Sequence, residues 1–534
     1  MQFITKFYFL LVGARYEYIK DPTMHAWLES SKRGGVAVGC ELRTAKANNP
    51  LLPAEHYDPS IPTTWLMAFD VNNLYGKALS SYLPVGNFKW MMDTDTWHHM
   101  MTDPIAWIMK QEDEQDIGYH LEVDLSFPEN IHDKLKGLTP VPYQRKVQWH
   151  ELSPHQQELA IKLGITEACL NTSRLMTDLH PRKNYVVHYR ALQFYLTLGI
   201  QLDCVHRGIS YTQAPTIKPY IERLANNRKV AAAAGDAFAT DMWKLAANAV
   251  YGKSVESVRK RCNFILCRDK EQAMRYTRKP TFEEVIMLDD CEVALLRVKK
   301  LSVCLNKPLY LGVTVLDEAK SILYRWNYDV AIPKWGDKFK TIATDTDSVY
   351  CLVETENIYQ DMKDNSEEYD MYDYPLQCPV FGPYHNDTNH KIPGVMKDEN
   401  AGRVMHKMIF LRPKMYTYTT YGAVGTEKAG QYKLIQKAKG VPKLGLTGLT
   451  PDKYEEVLLE PIQLYAEYIA FLSRKHDVCT VEILKKSLNG FDVKRYILPD
   501  AINSLPYGHK DIAHEDNCML PEQENLFPNA LYSE

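Results

Sequence analysis

The stretch that most constrains this chain is Thr344-Asp345-Thr346-Asp347-Ser348-Val349-Tyr350. Strand-like runs flank it, Lys340–Ala343 before and Val349–Val353 after, with β-branched and aromatic residues alternating. The pattern reads as a hairpin with two aspartates at or near its tip. Like charges a few ångströms apart repel, so both carboxylates cannot stay ionised cheaply. A divalent cation removes that cost. An Asp-rich surface turn is the alternative, and two upstream stretches favour the cation.

The first of these is Trp65-Leu66-Met67-Ala68-Phe69-Asp70-Val71-Asn72-Asn73-Leu74-Tyr75-Gly76, an apolar run that ends in an aspartate, a tight Asn-Asn turn, an aromatic and a glycine. Its pattern is that of a buried central strand delivering Asp70 to the strand's end. The second is Lys244-Leu245-Ala246-Ala247-Asn248-Ala249-Val250-Tyr251-Gly252-Lys253. Lys244, Asn248 and Tyr251 recur at i, i+4 and i+7, so a helix sets all three on one face. A cation, an amide and an aromatic there suit a triphosphate, a base edge and a ring. A solvated helix edge would show the same stripe.

Taken in order, Asp-x-x-x-Leu-Tyr, Lys-x-x-x-Asn-x-x-Tyr-Gly and Asp-Thr-Asp-Ser resemble motifs A, B and C of family B DNA polymerases. Arg412-Pro413-Lys414-Met415-Tyr416 resembles the Lys-x-Tyr motif that follows motif C there. The form Asp70-Val71-Asn72-Asn73-Leu74-Tyr75-Gly76 is similar to the protein-primed branch, as carried by Polinton or Maverick transposons and related viruses. Arg33-Gly34-Gly35, Lys183–Arg190, Met396-Lys397-Asp398-Glu399, Asp492–Ile497 and Tyr507-Gly508-His509 agree with it, so the resemblance spans residues 16 to 513.

That resemblance implies an α+β right-hand polymerase: a palm of antiparallel sheet plus helices, with helical fingers and a thumb. Asp70 and Asp347 would ligate two Mg²⁺ ions, for which Mn²⁺ may substitute, with the Val71 carbonyl completing one sphere and Asp345 nearby as an auxiliary. Lys244 would neutralise charge on the leaving phosphates. Asn73, Leu74 and Tyr75 would adjoin the nucleotide, and Tyr75 would exclude a ribose 2′-hydroxyl. Asn248 and Tyr251 would line the base-pair pocket, and Arg228 with Lys229 would reach triphosphate oxygens or lie on an exposed face. Gly34, Gly35, Gly252, Lys253, Thr346, Lys414 and Tyr416 would contact primer or template, Lys414 and Tyr416 holding the primer terminus. Implied partners are primer–template DNA, dNTPs and a terminal priming protein, with no membrane. Gly76 stands where many family members have proline, while Asn73 and Ala249 each replace a serine; none removes a metal ligand or a charge.

The same resemblance orders the chain. Residues 1–60 are a lead-in with a Gly-Gly linker loop, 61–90 the palm strand of motif A, and 91–180 a palm strand plus an insertion that binds the terminal protein. Residues 181–261 are fingers, 262–308 a second insertion, 309–420 palm, and 421–534 thumb and C-terminal tail. Period predicts helices over much of 183–261, including one from about Lys218 to Ala234, an amphipathic helix over 309–330 and another from Tyr454 to Leu472. No exonuclease motifs precede the Gly-Gly loop, so proofreading is expected to be absent. Glu122-Val123-Asp124 mimics an exonuclease pair but reads as another palm strand.

Composition adds bounds. A chain of 534 residues suggests two to four domains or subdomains. A net charge of −4 argues against a wholly basic surface, though a local basic cleft would serve. The run Lys253, Arg259, Lys260 and Arg261 is such a concentration, a phosphate contact or a solvated helix end. Eleven cysteines without paired spacing predict reduced, mostly buried thiols in an intracellular protein, with Cys262 and Cys267 lacking a second pair for zinc. Phe7–Val12 is too short to span a bilayer and predicts a core strand or helix rather than a signal peptide. A host nucleus or viral replication site follows from the resemblance alone. Two rivals remain: a reverse transcriptase or RNA polymerase, against which Tyr75 and Asp-Thr-Asp-Ser stand, and a catalytically silent DNA- or terminal-protein-binding remnant.

Overall fold

The computed structural model describes residues 15–288, 293–474 and 477–512; the expected element at Phe7–Val12 lies outside them. Helices combine with antiparallel sheets, the largest having ten strands. These are β1 (Ala37–Gly39), β2 (Thr44–Lys46), β3 (Thr64–Val71), β4 (Phe339–Asp345), β5 (Ser348–Glu354), β6 (Tyr369–Asp370), β7 (Met396–Asp398), β8 (Arg403–Arg412), β9 (Met415–Gly422) and β10 (Tyr432–Ala438). The order β1-β4-β5-β3-β8-β9-β10 places the apolar run of β3 centrally, where Trp65 to Phe69 are buried. β7 pairs antiparallel with the Asp70 end of β3 and in parallel with β6, while β2 pairs with β8. The helices include α1 (Leu74–Leu79), α2 (Lys218–Ala233), α3 (Ala237–Ser254) and α4 (Leu309–Arg325).

Helix α4 is buried on nearly every side rather than along one stripe, with Ile322 half-buried. It packs against α1, α3 and the strands Leu83–Trp90 and Arg182–His188. At its end Trp326 leans on Phe69 of β3, with ring centroids 5.1 Å apart. Its polar residues Asp317, Lys320 and Ser321 are buried with the rest, so they do not form a solvated face. Other expectations fail for related reasons. Arg182–His188 and Gln201–Ala214 are strands, not helix, in a four-stranded sheet with Leu83–Trp90 and Ile117–Ser126. In Tyr454–Leu472, helix covers only Pro451–Leu459, and Gln463–Arg474 pairs with Asp477–Asn489 as a hairpin. Pro461 removes a helical donor and sits at that change.

The described cysteines are free, as expected, but Cys169, Cys204, Cys304 and Cys479 are exposed rather than buried. No described helix is long and apolar enough to cross a membrane. Glu122 accepts from Trp27 and Arg207, and Asp124 pairs with Lys183 at 2.9 Å and His206 at 2.8 Å, so both carboxylates have side-chain partners.

Facing α4, the four-stranded sheet buries two histidines opposite one another, His120 and His188, with rings 5.1 Å apart. Their four ring nitrogens lack hydrogen bonds to the described residues, and Arg190 and Glu318 lie alongside. Burial drives both pKa values well below the ordinary range, so the fold keeps them neutral while the unfolded chain protonates them near 6.5. Stability is thus present above about pH 6.5 and lost as pH falls, by up to about 1.4 kcal/mol per unit for each ring. Denaturant midpoints measured between pH 7 and pH 5 are expected to fall, and less steeply in His120→Gln/His188→Gln. Equal slopes would clear the pair of this role.

Candidate active site

The carboxylates meet because of strand register. β3 and β5 run antiparallel with Asp70 opposite Ser348, so Asp70 comes to lie beside the turn that carries Asp347. The Val71 N–H donates to the Asp347 carbonyl at 2.8 Å, tying the two strand ends together. Between β4 and β5 the turn is tight, and Thr346 takes a positive φ of 76°. Its N–H donates to the Val36 carbonyl at 2.7 Å, and a side chain on Gly35 would strike the Thr346 methyl at 2.6 Å. Close approach therefore demands glycine at 35, whereas Gly34 faces open space. Gly76 has the same cause: its added Cβ would fall 2.1 Å from the Asn73 side-chain nitrogen, where Asn73 turns into α1 with φ of 44°.

Burial, then the charge of Asp347 and Glu399, pushes the Asp70 carboxyl up to about 7, partly offset by Lys397. Asp347 is also raised, by burial first and by Asp345 and Glu399 among the charges. Lys414, in a left-handed turn between β8 and β9, pairs with Asp345. The unfolded chain ionises Asp70 near 3.9, so folded stability falls as pH rises from there through 7. Asp70→Asn cannot ionise. In chelator-treated protein, its melting temperature relative to wild type is expected to rise between pH 5 and pH 8; a constant difference would mean the repulsion is absent.

Over this edge, α3 crosses α1. Tyr251 stacks on Tyr75 with centroids 4.4 Å apart and planes 10° from parallel. Lys244 and Asn248 stand exposed on the same helix, as their spacing predicts. On α2, the Arg228 Nε is buried without a hydrogen bond to the described residues. Gly252 is exposed with open space at its Cβ.

Three of the expected positions have further contacts. Tyr416 is only 3% exposed, stacked with Phe410 and bonded through its hydroxyl to Tyr350 at 3.0 Å. Leu74 is likewise a core residue, leaving only its backbone near the site. Two carboxylates pair with the basic run at the end of α3, Lys253 and Arg261 with Glu256 at 3.5 and 2.8 Å and Arg259 with Glu29 at 2.8 Å, and the run stays net positive. Arg261 and then Lys307 hold the Glu256 carboxyl down at about 2, against a smaller effect of burial.

No family model and no curated protein matches the sequence. Solved structures of Phi29 DNA polymerase are similar to it. The ternary complex with primer-template DNA and incoming nucleotide substrates has 13% identity and a TM-score of 0.48, over 91% of this chain and 66% of that one. The post-translocation binary complex has 13% identity and a TM-score of 0.46, over 91% and 65%. An orthorhombic crystal form has 14% identity and a TM-score of 0.48, over 90% and 66%. This chain thus spans just under two thirds of those chains.

Residues unassigned by sequence also reach the site. β7 sets Lys397 opposite Asp70, with Nζ 3.7 Å from Asp70 Oδ2 and 3.3 Å from Glu399 Oε1. Asn72 donates to the buried Asp370 at 2.7 Å, anchoring the turn after β3. The charged run Lys397-Asp398-Glu399 was the available signal, but its partner is a strand far away in sequence. Elsewhere, Asp133, His509 and Asp511 bring ligand atoms within 4.8 Å, yet Lys510 already pairs with Asp133.

Proposed function

We propose that this chain is a template-directed DNA polymerase that adds deoxynucleotides to a primer 3′ end. The observation that carries the reading is the β3–β5 register, which gathers Asp70 and Asp347 at one end of the central strands beside the Tyr75–Tyr251 stack. In this reading the ten-stranded sheet with α4 is the palm, and α2 with α3 the fingers. The thumb comprises Pro451–Leu459 and the hairpin Gln463–Asn489. Segments 91–180 and 262–308 are insertions, the first offered to a terminal priming protein as in the Polinton-like branch that the motifs resemble.

The donor set fits Mg²⁺: two carboxylates and the Val71 carbonyl are hard oxygen ligands, and the burial and mutual charge that raise Asp70 and Asp347 are relieved by a cation. Bound there, divalent ions supply activation of the primer hydroxyl and charge neutralisation on the phosphates. Lys244 and Arg228 bind triphosphate oxygens. Tyr75 and Tyr251 form a floor for the sugar and base. Lys414 orients Asp345 and adjoins the primer phosphates.

Primer extension by the purified chain on a short primer–template, with Mg²⁺ or Mn²⁺ and dNTPs, tests this. Template-dependent, chelator-sensitive extension is expected. Folded protein that binds DNA without extending it would instead mark a silent remnant.

A further inference from the structure

Each flank of the carboxylate cluster carries a lysine. Lys414 pairs with Asp345 and Lys397 with Asp70, while among the described residues no ion pair reaches Asp347. Lys397 differs from Lys414 in its surroundings. It is 29% exposed at the side chain, it sits across the strand from Asp70, and it has a second carboxylate, Glu399, at 3.3 Å. An ammonium this close to a ligand oxygen repels a divalent ion approaching the same oxygen. Glu399 gives that ammonium another anionic seat, so it can release Asp70 without being stranded. A flexible lysine, with donors on one rotatable head, suits such a transfer better than a planar guanidinium.

We propose that Lys397 is a positioning residue that competes with the divalent cation for Asp70, holding the carboxylate in the cation-free chain and ceding it when cation and nucleotide bind. The inference rests on the polymerase reading of the site. Its consequence is weak binding of a lone cation, strengthened when a triphosphate brings its own negative charge. Ion loading thereby becomes coupled to nucleotide binding.

The test is Mn²⁺ binding to the full chain, by electron paramagnetic resonance titration without DNA or nucleotide. Lys397→Met is expected to bind Mn²⁺ about tenfold more tightly than wild type, an advantage that shrinks at high salt. Lys397→Arg, which keeps the charge, is expected to bind weakly like wild type. Should methionine impair folding, Lys397→Gln makes the same comparison. Affinity in the uncharged variants equal to or weaker than wild type would overturn the inference, since a merely structural lysine would leave binding unchanged or loosen it. Asp347→Asn separates the two levels: if it binds Mn²⁺ as well as wild type does, the carboxylate site itself is misassigned and the inference falls with it. If Asp347→Asn loses binding but Lys397→Met matches wild type, only the role of Lys397 fails.

Discussion

Asp347→Asn is expected to lower nucleotide incorporation at least a thousandfold while the protein stays as stable as wild type or becomes more so. The activity loss follows from removing a charged ligand at the reacting phosphate, an effect of several kcal/mol at about 1.4 kcal/mol per factor of ten. The retained stability follows from the site itself. Asp347 is raised by burial and by Asp345 and Glu399, so its ionised form is a burden on the cation-free fold. The backbone bonds of the turn, Val71 N–H to the Asp347 carbonyl and Thr346 N–H to Val36, do not involve its side chain. Single-nucleotide incorporation and thermal melts on the same preparations check both halves. Incorporation within tenfold of wild type would sink the assignment. Lost activity with a collapsed melting temperature would show the residue to be structural.

The second large effect is on sugar selectivity. Tyr75→Ala is expected to lose about a hundredfold of discrimination between dNTP and rNTP, the range in which a pocket rejects an added hydroxyl by shape. Tyr75 is held in place by stacking on Tyr251 and by the turn that Asn73 and Gly76 close. Loss of the aromatic pair costs about 0.5–1.5 kcal/mol of stability beyond the area exposed. The ratio of kcat/KM for dATP and ATP opposite one template base measures it. An unchanged ratio would remove Tyr75 from the gate and leave it as packing for α3.

The elements legible in the sequence were those whose signal is local. The apolar run into Asp70, the alternation around Asp345 and Asp347, and the i, i+4, i+7 stripe of Lys244, Asn248 and Tyr251 became β3, the β4–β5 hairpin and α3. Arg182–His188 misled because Tyr185, Tyr189, Leu192 and Tyr195 recur at helical intervals across a strand–helix junction. Several of its residues are buried in succession, so the alternation of a strand is lost. The expected helix from Tyr454 ran too far because it carried a helical period past Pro461, where exposed Ile469 and Phe471 already alternate at the two-residue period of a strand.

By itself the sequence determined which carboxylates sit at strand ends and which lysine, amide and tyrosine share a helix face, because both depend on periods of a few residues. Only the tertiary structure decided how these are paired. Whether Lys253 and Arg261 are open to phosphate, whether Tyr416 is open or buried, and which cation faces Asp70 depend on strand registers and contacts between residues far apart in the chain. A one-residue slip of β7 against β3 would turn Lys397 to the other face of the sheet. No local pattern carries that information, because electrostatic partners are chosen by folding rather than by neighbourhood in sequence.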